Sequence, residues 1–169
     1  MVRNMDQEDP RWLNEQEARA WRSLQFMQMR LDGELARLLA AASGLSYPDF
    51  RVLAALSERP DGRMRLFELA EVLGWEKSRL SHHVGRMASR GLVEKEQCDA
   101  DRRGAFVVVA SSGQREIAAA APDHVAAVRR LFVDRLTPAQ LDAIGDAADT
   151  VLAAFDEPLE TEPAPNPTR

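Results

Sequence analysis

Apolar residues recur at helical spacing through the first part of the chain. Leu24, Leu31 and Leu35 fall on one helical face, and no proline interrupts residues 14–42. Asn14 followed by Glu17 forms a capping-box pattern at the start of this stretch. The pattern predicts a helix roughly 40 Å long, which is longer than a small domain needs. Part of it should therefore pack against something else.

The pattern changes to short elements between residues 46 and 110. Ser46 and Pro48 predict a helix start, and the pair Met64 and Leu66 predicts a short strand. A short helix over 67–73 and a longer one over 77–90 follow. Gly74 and Gly91 are predicted to end them as left-handed residues. Residues 92–93 and 105–109 predict two strands, and the polar segment 99–104 between them predicts a hairpin tip.

The C-terminal part is predicted to be helical again. One helix is expected from Ser111 to about Leu136, kinked or interrupted by Pro122 because proline removes a backbone donor. Thr137-Pro138 opens a last helix with an apolar side. The end of the chain is acidic and rich in proline, which predicts disorder. The predicted layout is a dimerisation helix (14–45), a DNA-binding lobe (46–110), C-terminal dimerisation helices (111–155) and a disordered tail (156–169).

The middle segment has the order of a winged helix-turn-helix: helix, short helix, tight turn, helix and β-hairpin. The expected fold class is mainly α with a small β-hairpin wing, flanked by N- and C-terminal dimerisation helices. An α-helix fits the major groove of B-DNA. With Leu80, Val84 and Met87 buried, the polar positions of helix 77–90 face the other way. These positions are Ser78, Arg79, His82, Arg86 and Ser89, with Ser81 flanking them.

Short hydroxyls, an imidazole and arginines can reach base edges and phosphates. Ser78, Arg79, Ser81 and His82 are therefore candidates for base readout. Lys77 and Arg86 are candidates for phosphate contacts. The alternative is an ordinary amphipathic helix with a solvated polar face.

The predicted hairpin adds Arg102 and Arg103, which could enter the adjacent minor groove, where negative potential is concentrated. Asp101 is placed to orient Arg103. The alternative for this motif is an ordinary charged turn.

Charge and cysteine content restrict the function classes. The net charge of −5 weighs against nucleic-acid binding on average, but basic residues outnumber acidic ones between 76 and 103, and the tail is acidic. The single cysteine, Cys98, excludes an internal disulfide and suits a reducing compartment. Because no apolar run is long enough to span a bilayer and no signal peptide is evident, the expected location is the cytoplasm.

Several local motifs resemble the MarR family of bacterial transcription regulators. They are Leu69-Ala70, Ser78-Arg79-Leu80-Ser81, Arg90-Gly91-Leu92-Val93 and, above all, Asp101-Arg102-Arg103-Gly104. The resemblance covers about residues 14–155. In that family a Leu-Thr-x-x-Gly sequence starts the next helix. Here Gly113 is at the expected distance, but Val109-Ala110 replaces Leu-Thr, so Ser111 or Ser112 would have to supply the cap.

The resemblance implies a homodimer whose terminal helices interdigitate. Such a dimer would bind a pseudo-palindromic operator with half-sites roughly 10 base pairs apart. Many family members are repressors that release DNA when a small phenolic or anionic effector binds. By that analogy Trp21, Met29, Phe50 and His83 are candidates for an effector pocket, the alternative being plain core residues.

The sequence contains few signals for metal binding, redox sensing or catalysis. Adjacent His82 and His83 point about 100° apart on a helix, so one metal ion cannot easily bind both. A lone Cys98 has no resolving thiol in the chain, and no nucleophile–base pair or nucleotide-binding motif is present. No enzyme, cofactor or metal site is expected. The alternative function is a winged-helix module for protein–protein contact, favoured only by the net negative charge.

Overall fold

The computed structural model describes the backbone of residues 11–98 and 101–156, and the side chains of those residues except 97–104 and 156. The elements in chain order are α1 (Glu15–Ala42), α2 (Tyr47–Ser57), β1 (Arg63–Arg65), α3 (Leu66–Leu73), α4 (Lys77–Ser89), β2 (Val93–Cys98), β3 (Asp101–Val109), α5 (Ser111–Leu131), a 3₁₀ turn (Val133–Arg135) and α6 (Pro138–Asp156). The predicted fold class, mainly helical with a winged helix-turn-helix, is confirmed.

The helix boundaries follow the local signals in the sequence. Asn14 accepts a hydrogen bond from Glu17 N, and the Glu17 carboxylate accepts one from Asn14 N, which completes a capping box. Ser46 and Asp49 form a second capping box at α2. Gly74, which ends α3, has a φ of 64°, a left-handed conformation that glycine adopts without a Cβ penalty. These local predictions are confirmed.

The sheet is larger than the sequence pattern predicted. Its three antiparallel strands lie in the order β1-β3-β2, and β2 pairs with β3 as far out as Cys98 and Asp101. Placing all of 99–104 in a hairpin tip was therefore wrong, because Asp101–Gly104 belong to β3. Strand pairing uses the backbone, so polar side chains do not prevent it. Leu66 was also misplaced, since it begins α3.

The C-terminal helix prediction needs a correction as well. Helix α5 runs without interruption through Pro122 and ends at Leu131, so Pro122 does not divide it. Proline removes a single hydrogen bond, and the turns on both sides maintain the helix. The predicted disordered tail began at Asp156, but Asp156 is the last residue of α6. The rest of the predicted tail, residues 157–169, lies outside the described part.

The chain divides into two compact units, residues 1–127 and residues 128–169. In the first, α2, α3, α4 and the sheet enclose a core that includes Leu53, Leu56, Leu69 and Val107. In the second, α6 has no buried residue among those described, and Val151, Leu152 and Phe155 are exposed. Helix α1 of the first unit likewise exposes large apolar side chains. None of the described helices is long and apolar enough to cross a membrane.

Candidate nucleic-acid interface

Helix α4 has one buried and one exposed face, as its spacing predicted. Leu80, Val84 and Met87 are completely buried. The opposite face carries the residues singled out for DNA contact: Lys77, Ser78, Arg79, His82, Arg86 and Ser89 are exposed and Ser81 is half-buried. The packing of α4 therefore leaves a polar and basic surface free.

The first turn of α4 is open to an anion. Glu76 precedes the helix without a side-chain cap, so the N–H groups of the first turn lack a side-chain partner. These groups and the helix dipole favour negative charge. Lys77, the first helical residue, adds a full positive charge at the same end, which offsets the negative charge of Glu76.

Trp75 fixes the position of Arg79 at one edge of this surface. The guanidinium carbon of Arg79 lies 4.8 Å from the centroid of the Trp75 ring, which is a cation–π contact. Arg51 lies at 5.9 Å from the same ring. The rings of His83 and Trp75 also pack nearly perpendicular to each other, with their centroids 5.5 Å apart.

Asp49 is a buried carboxylate beneath α4. It is 1% exposed, and its Oδ1 accepts a hydrogen bond of 2.5 Å from Nη2 of Arg90. Ser46 donates to the other oxygen through its hydroxyl group and its backbone N–H. Nε2 of His83 is 3.1 Å from Oδ1, but it is not aligned for a good hydrogen bond. Asp49 thereby links the start of α2 to the end of α4.

The pKa values of this group reflect burial and charge. Burial raises the pKa of Asp49, but hydrogen bonds from Arg90 and Ser46 outweigh it, so the pKa lies below its usual value. For His83, burial lowers the pKa, and Asp49 only partly compensates. The stable pair is thus an ionised Asp49 beside a neutral His83.

A groove of about 590 Å³ lies between the start of α2 and α4. Trp75, Arg79, Arg86 and Arg90 are among its lining residues, and Asp49 is its acidic member. Most of the charged side chains that line the groove are therefore arginines. Such a surface favours anions.

Lys95 on β2 approaches α4 at a glycine. A Cβ added to Gly85 would lie 3.6 Å from Nζ of Lys95, so the ammonium group sits directly over this position. Lys95 has no ion-pair partner among the described side chains. A wing cation thus joins the α4 surface beside Gly85.

Gly85→Ala is expected to raise the free energy of unfolding by roughly 0.5–1 kcal/mol, because alanine is the better helix former and the new Cβ makes only an ordinary contact. Urea unfolding measures the change. Gly74→Ala is the contrasting control: its φ of 64° makes alanine unfavourable by about 1 kcal/mol. If both substitutions raised the free energy of unfolding, or both lowered it, this account would be contradicted.

Known proteins match this architecture. The MarR family model matches residues 43–104. The crystal structure of AbsC, a MarR family transcriptional regulator from Streptomyces coelicolor, is 38% identical, with a TM-score of 0.79 over 86% of this chain and 98% of AbsC. The chain belongs to the MarR family. Its members are transcriptional regulators, as the sequence motifs indicated.

Two further relatives support the assignment. Sco3205, a MarR family regulator from S. coelicolor solved in complex with DNA, is 36% identical, with a TM-score of 0.80 over 92% of this chain and 97% of Sco3205. The transcriptional regulator HosA of Escherichia coli O127:H6 (strain E2348/69 / EPEC) is 31% identical over 105 residues, which are 61% of this chain and 76% of HosA.

The structure separates the four effector-pocket candidates of this MarR-family chain. Phe50 and His83 are buried, whereas Trp21 and Met29 are exposed on α1. Phe50 packs against His124, with ring centroids 4.3 Å apart. The groove beside α4 contains His83 and none of the other three.

The wing residues Asp101, Arg102 and Arg103 lie in β3 by their backbone. Their side chains, and the predicted contact between Asp101 and Arg103, are outside the described part. Among the described residues there is no group of three histidine, cysteine or acidic side chains that could hold a metal ion.

The sequence analysis did not select Asp49, Trp75, Arg90 or Lys95 for the site. Asp49 was visible only as a residue of a helix start, and Arg90 only as part of a family motif. For Lys95, the available signal was a lysine in the strand after the recognition helix, two residues after that strand's first residue Val93. No sequence signal paired it with Gly85, because that proximity arises from the fold.

Proposed function

We propose that this chain is a sequence-specific regulator that binds duplex DNA as a homodimer. The observation that supports this most strongly is the exposed polar and basic face of α4, bordered by Lys95 of the wing. An α-helix with such a face fits the major groove, and the arginines meet phosphate charge. The complex of Sco3205 with DNA supports the same reading.

The second copy would cover the apolar side chains that a single chain leaves exposed. Trp21 and Phe26 of α1 are 55% and 62% exposed, and Leu152 and Phe155 of α6 are 60% and 79% exposed. Large apolar side chains at this exposure are typical of interfaces. Two recognition helices related by a two-fold axis would read half-sites roughly 10 base pairs apart.

We also propose that the regulator is a repressor released by a small phenolic or anionic effector, with Trp21, Met29, Phe50 and His83 as pocket candidates. No catalytic role is assigned to any residue. Footprinting of the DNA upstream of its own gene, with and without phenolic compounds, tests binding and release, and transcription from that DNA with and without the protein tests repression. A footprint unaffected by any such compound would argue against this effector class.

DNA binding itself is tested by affinity measured across salt concentrations. Release of counterions predicts an affinity that falls steeply as salt rises. No binding to the upstream DNA, or an affinity independent of salt, would contradict the proposal and favour a protein–protein role.

Arg103→Ala is expected to weaken operator binding by about 1–3 kcal/mol, because we propose that Arg103, with Arg102, occupies the minor groove. Gel shift measures the affinity, and size-exclusion chromatography should show an unchanged dimer. Arg115→Ala is the control, since Arg115 is an exposed arginine of α5 rather than of the wing. Equal affinities for Arg103→Ala and the unmodified protein would reject the wing contact.

A further inference from the structure

Arg86 lies between two histidines of α4. Its Nη1 is 2.6 Å from Nδ1 of His82, and its Nη2 is 3.0 Å from Nδ1 of His83. A guanidinium has five N–H donors and no acceptor. Both Nδ1 atoms must therefore accept, which requires each imidazole to be neutral and to carry its proton on Nε2.

The two Nε2–H groups face different surroundings. In His83 this group lies against the buried carboxylate of Asp49, at 3.1 Å. Burial also keeps the pKa of His83 below its usual value, which preserves the neutral ring that Arg86 needs. His83 thus holds Arg86 from the protein side, with the carboxylate of Asp49 beside the far nitrogen of its ring.

His82 is exposed, and its Nε2 makes no hydrogen bond within the described part of the structure. The surface around it consists largely of small residues. Ser78, Ser81, Gly85 and Ser89 line the shallow depression that His82 and Arg86 complete. A base edge could therefore approach the imidazole without steric hindrance.

We propose that Arg86 fixes His82 in the Nε2–H tautomer, so that His82 presents only a hydrogen-bond donor to the major groove and selects a guanine there. Guanine offers two acceptors, N7 and O6, in that groove and no donor. Adenine places an amino donor beside its N7 acceptor, and thymine places a methyl group beside its O4 acceptor. Cytosine offers only a donor. The inference rests on the proposed function, since it requires α4 to enter the major groove.

The tautomer is measured on the full-length protein without DNA. Long-range ¹⁵N–¹H correlation spectra distinguish protonated from unprotonated ring nitrogens. At pH 7.5 the Nδ1 atoms of His82 and His83 should both be unprotonated and Nε2 protonated. A proton on Nδ1 of His82 would overturn the inference whether or not the protein binds DNA.

The guanine contact is measured on duplexes selected from a random pool by the full-length protein. Each guanine is replaced in turn by 7-deazaguanine, which lacks the N7 acceptor. One guanine in each half-site should show a loss of affinity of roughly three- to tenfold, the effect of one hydrogen bond. In His82→Ala, the same replacement should have no effect.

Arg86→Met should reduce this sensitivity to 7-deazaguanine, since the tautomer is then no longer fixed. Arg115→Met is the control: it removes the same charge from an exposed position of α5, which is not part of the proposed DNA surface, and should retain the sensitivity. Sensitivity that persists in His82→Ala, or is absent from every guanine, would overturn the inference. Failure to select any duplex would instead contradict DNA binding itself.

Discussion

Gly113→Ala should lower the free energy of unfolding by about 3 kcal/mol, the upper part of the range for steric overpacking. Gly113 is buried in the first turn of α5, and a Cβ there would overlap the carbonyl oxygen of Leu92. The same Cβ would come within 3.0 Å of Cδ2 of Leu53. The Leu92 carbonyl cannot move freely, because it accepts a hydrogen bond from Ala110 N.

Urea unfolding at a fixed protein concentration measures this effect. Gly145→Ala is the control, because a Cβ at this position in α6 meets nothing within 4 Å. That variant should be as stable as the unmodified protein or slightly more so. A change of less than about 0.5 kcal/mol for Gly113→Ala would show that α5 does not dock tightly on the segment after α4.

This close approach also explains how α5 begins without the threonine cap of the family pattern. The Ser112 hydroxyl donates a hydrogen bond to the carbonyl of Gly91, which joins the start of α5 to the segment directly after α4. Helix α5 begins at Ser111, so Ala110 precedes it, and neither Ser111 nor Ser112 takes the capping role that the sequence suggested for one of them. The start of α5 is therefore fixed by docking on the loop after α4.

Asp49→Ala is expected to lower the free energy of unfolding by about 2 kcal/mol at pH 7. Removing one partner of a fully buried ion pair costs roughly 3–5 kcal/mol, but the Arg90 side chain is 47% exposed and can regain water. The substitution also removes the carboxylate of the capping box at α2. Urea unfolding measures the difference.

The effect of Asp49→Ala should depend on pH in a defined direction. The folded-state pKa of Asp49 lies below its ordinary value of 3.8. The carboxylate therefore contributes its full stability above that ordinary value, and the contribution disappears as pH falls through the folded-state pKa. The difference between Asp49→Ala and the unmodified protein should shrink below about pH 4.

Asp142→Ala is the matched control, since Asp142 is an exposed aspartate of α6. It should change the free energy of unfolding by less than about 0.5 kcal/mol. A difference for Asp49→Ala that stays constant from pH 7 to pH 3 would show that an ionised Asp49 contributes no stability. The packing of α2 against α4 would then depend on apolar contacts alone.

Local chemistry in the sequence determined most of the helices and the orientation of the recognition helix. Asn14 with Glu17, Ser46 with Pro48, and the glycines at 74 and 91 set helix ends through interactions within a few residues. The spacing of Leu80, Val84 and Met87 fixed which side of α4 is buried. The wing and helix motifs identified the family for the same reason, since they are short and contiguous.

The partners of Asp49 and Lys95 were decided only by the tertiary structure. Asp49 meets Arg90 across 41 residues of sequence, and Lys95 reaches Gly85 only because β2 folds back beside α4. Likewise, β2 and β3 pair beyond their apolar residues because backbone hydrogen bonds do not depend on hydrophobic pattern. A sequence records caps and periodicity directly, whereas the partner of a buried charge depends on which distant segments the core brings together.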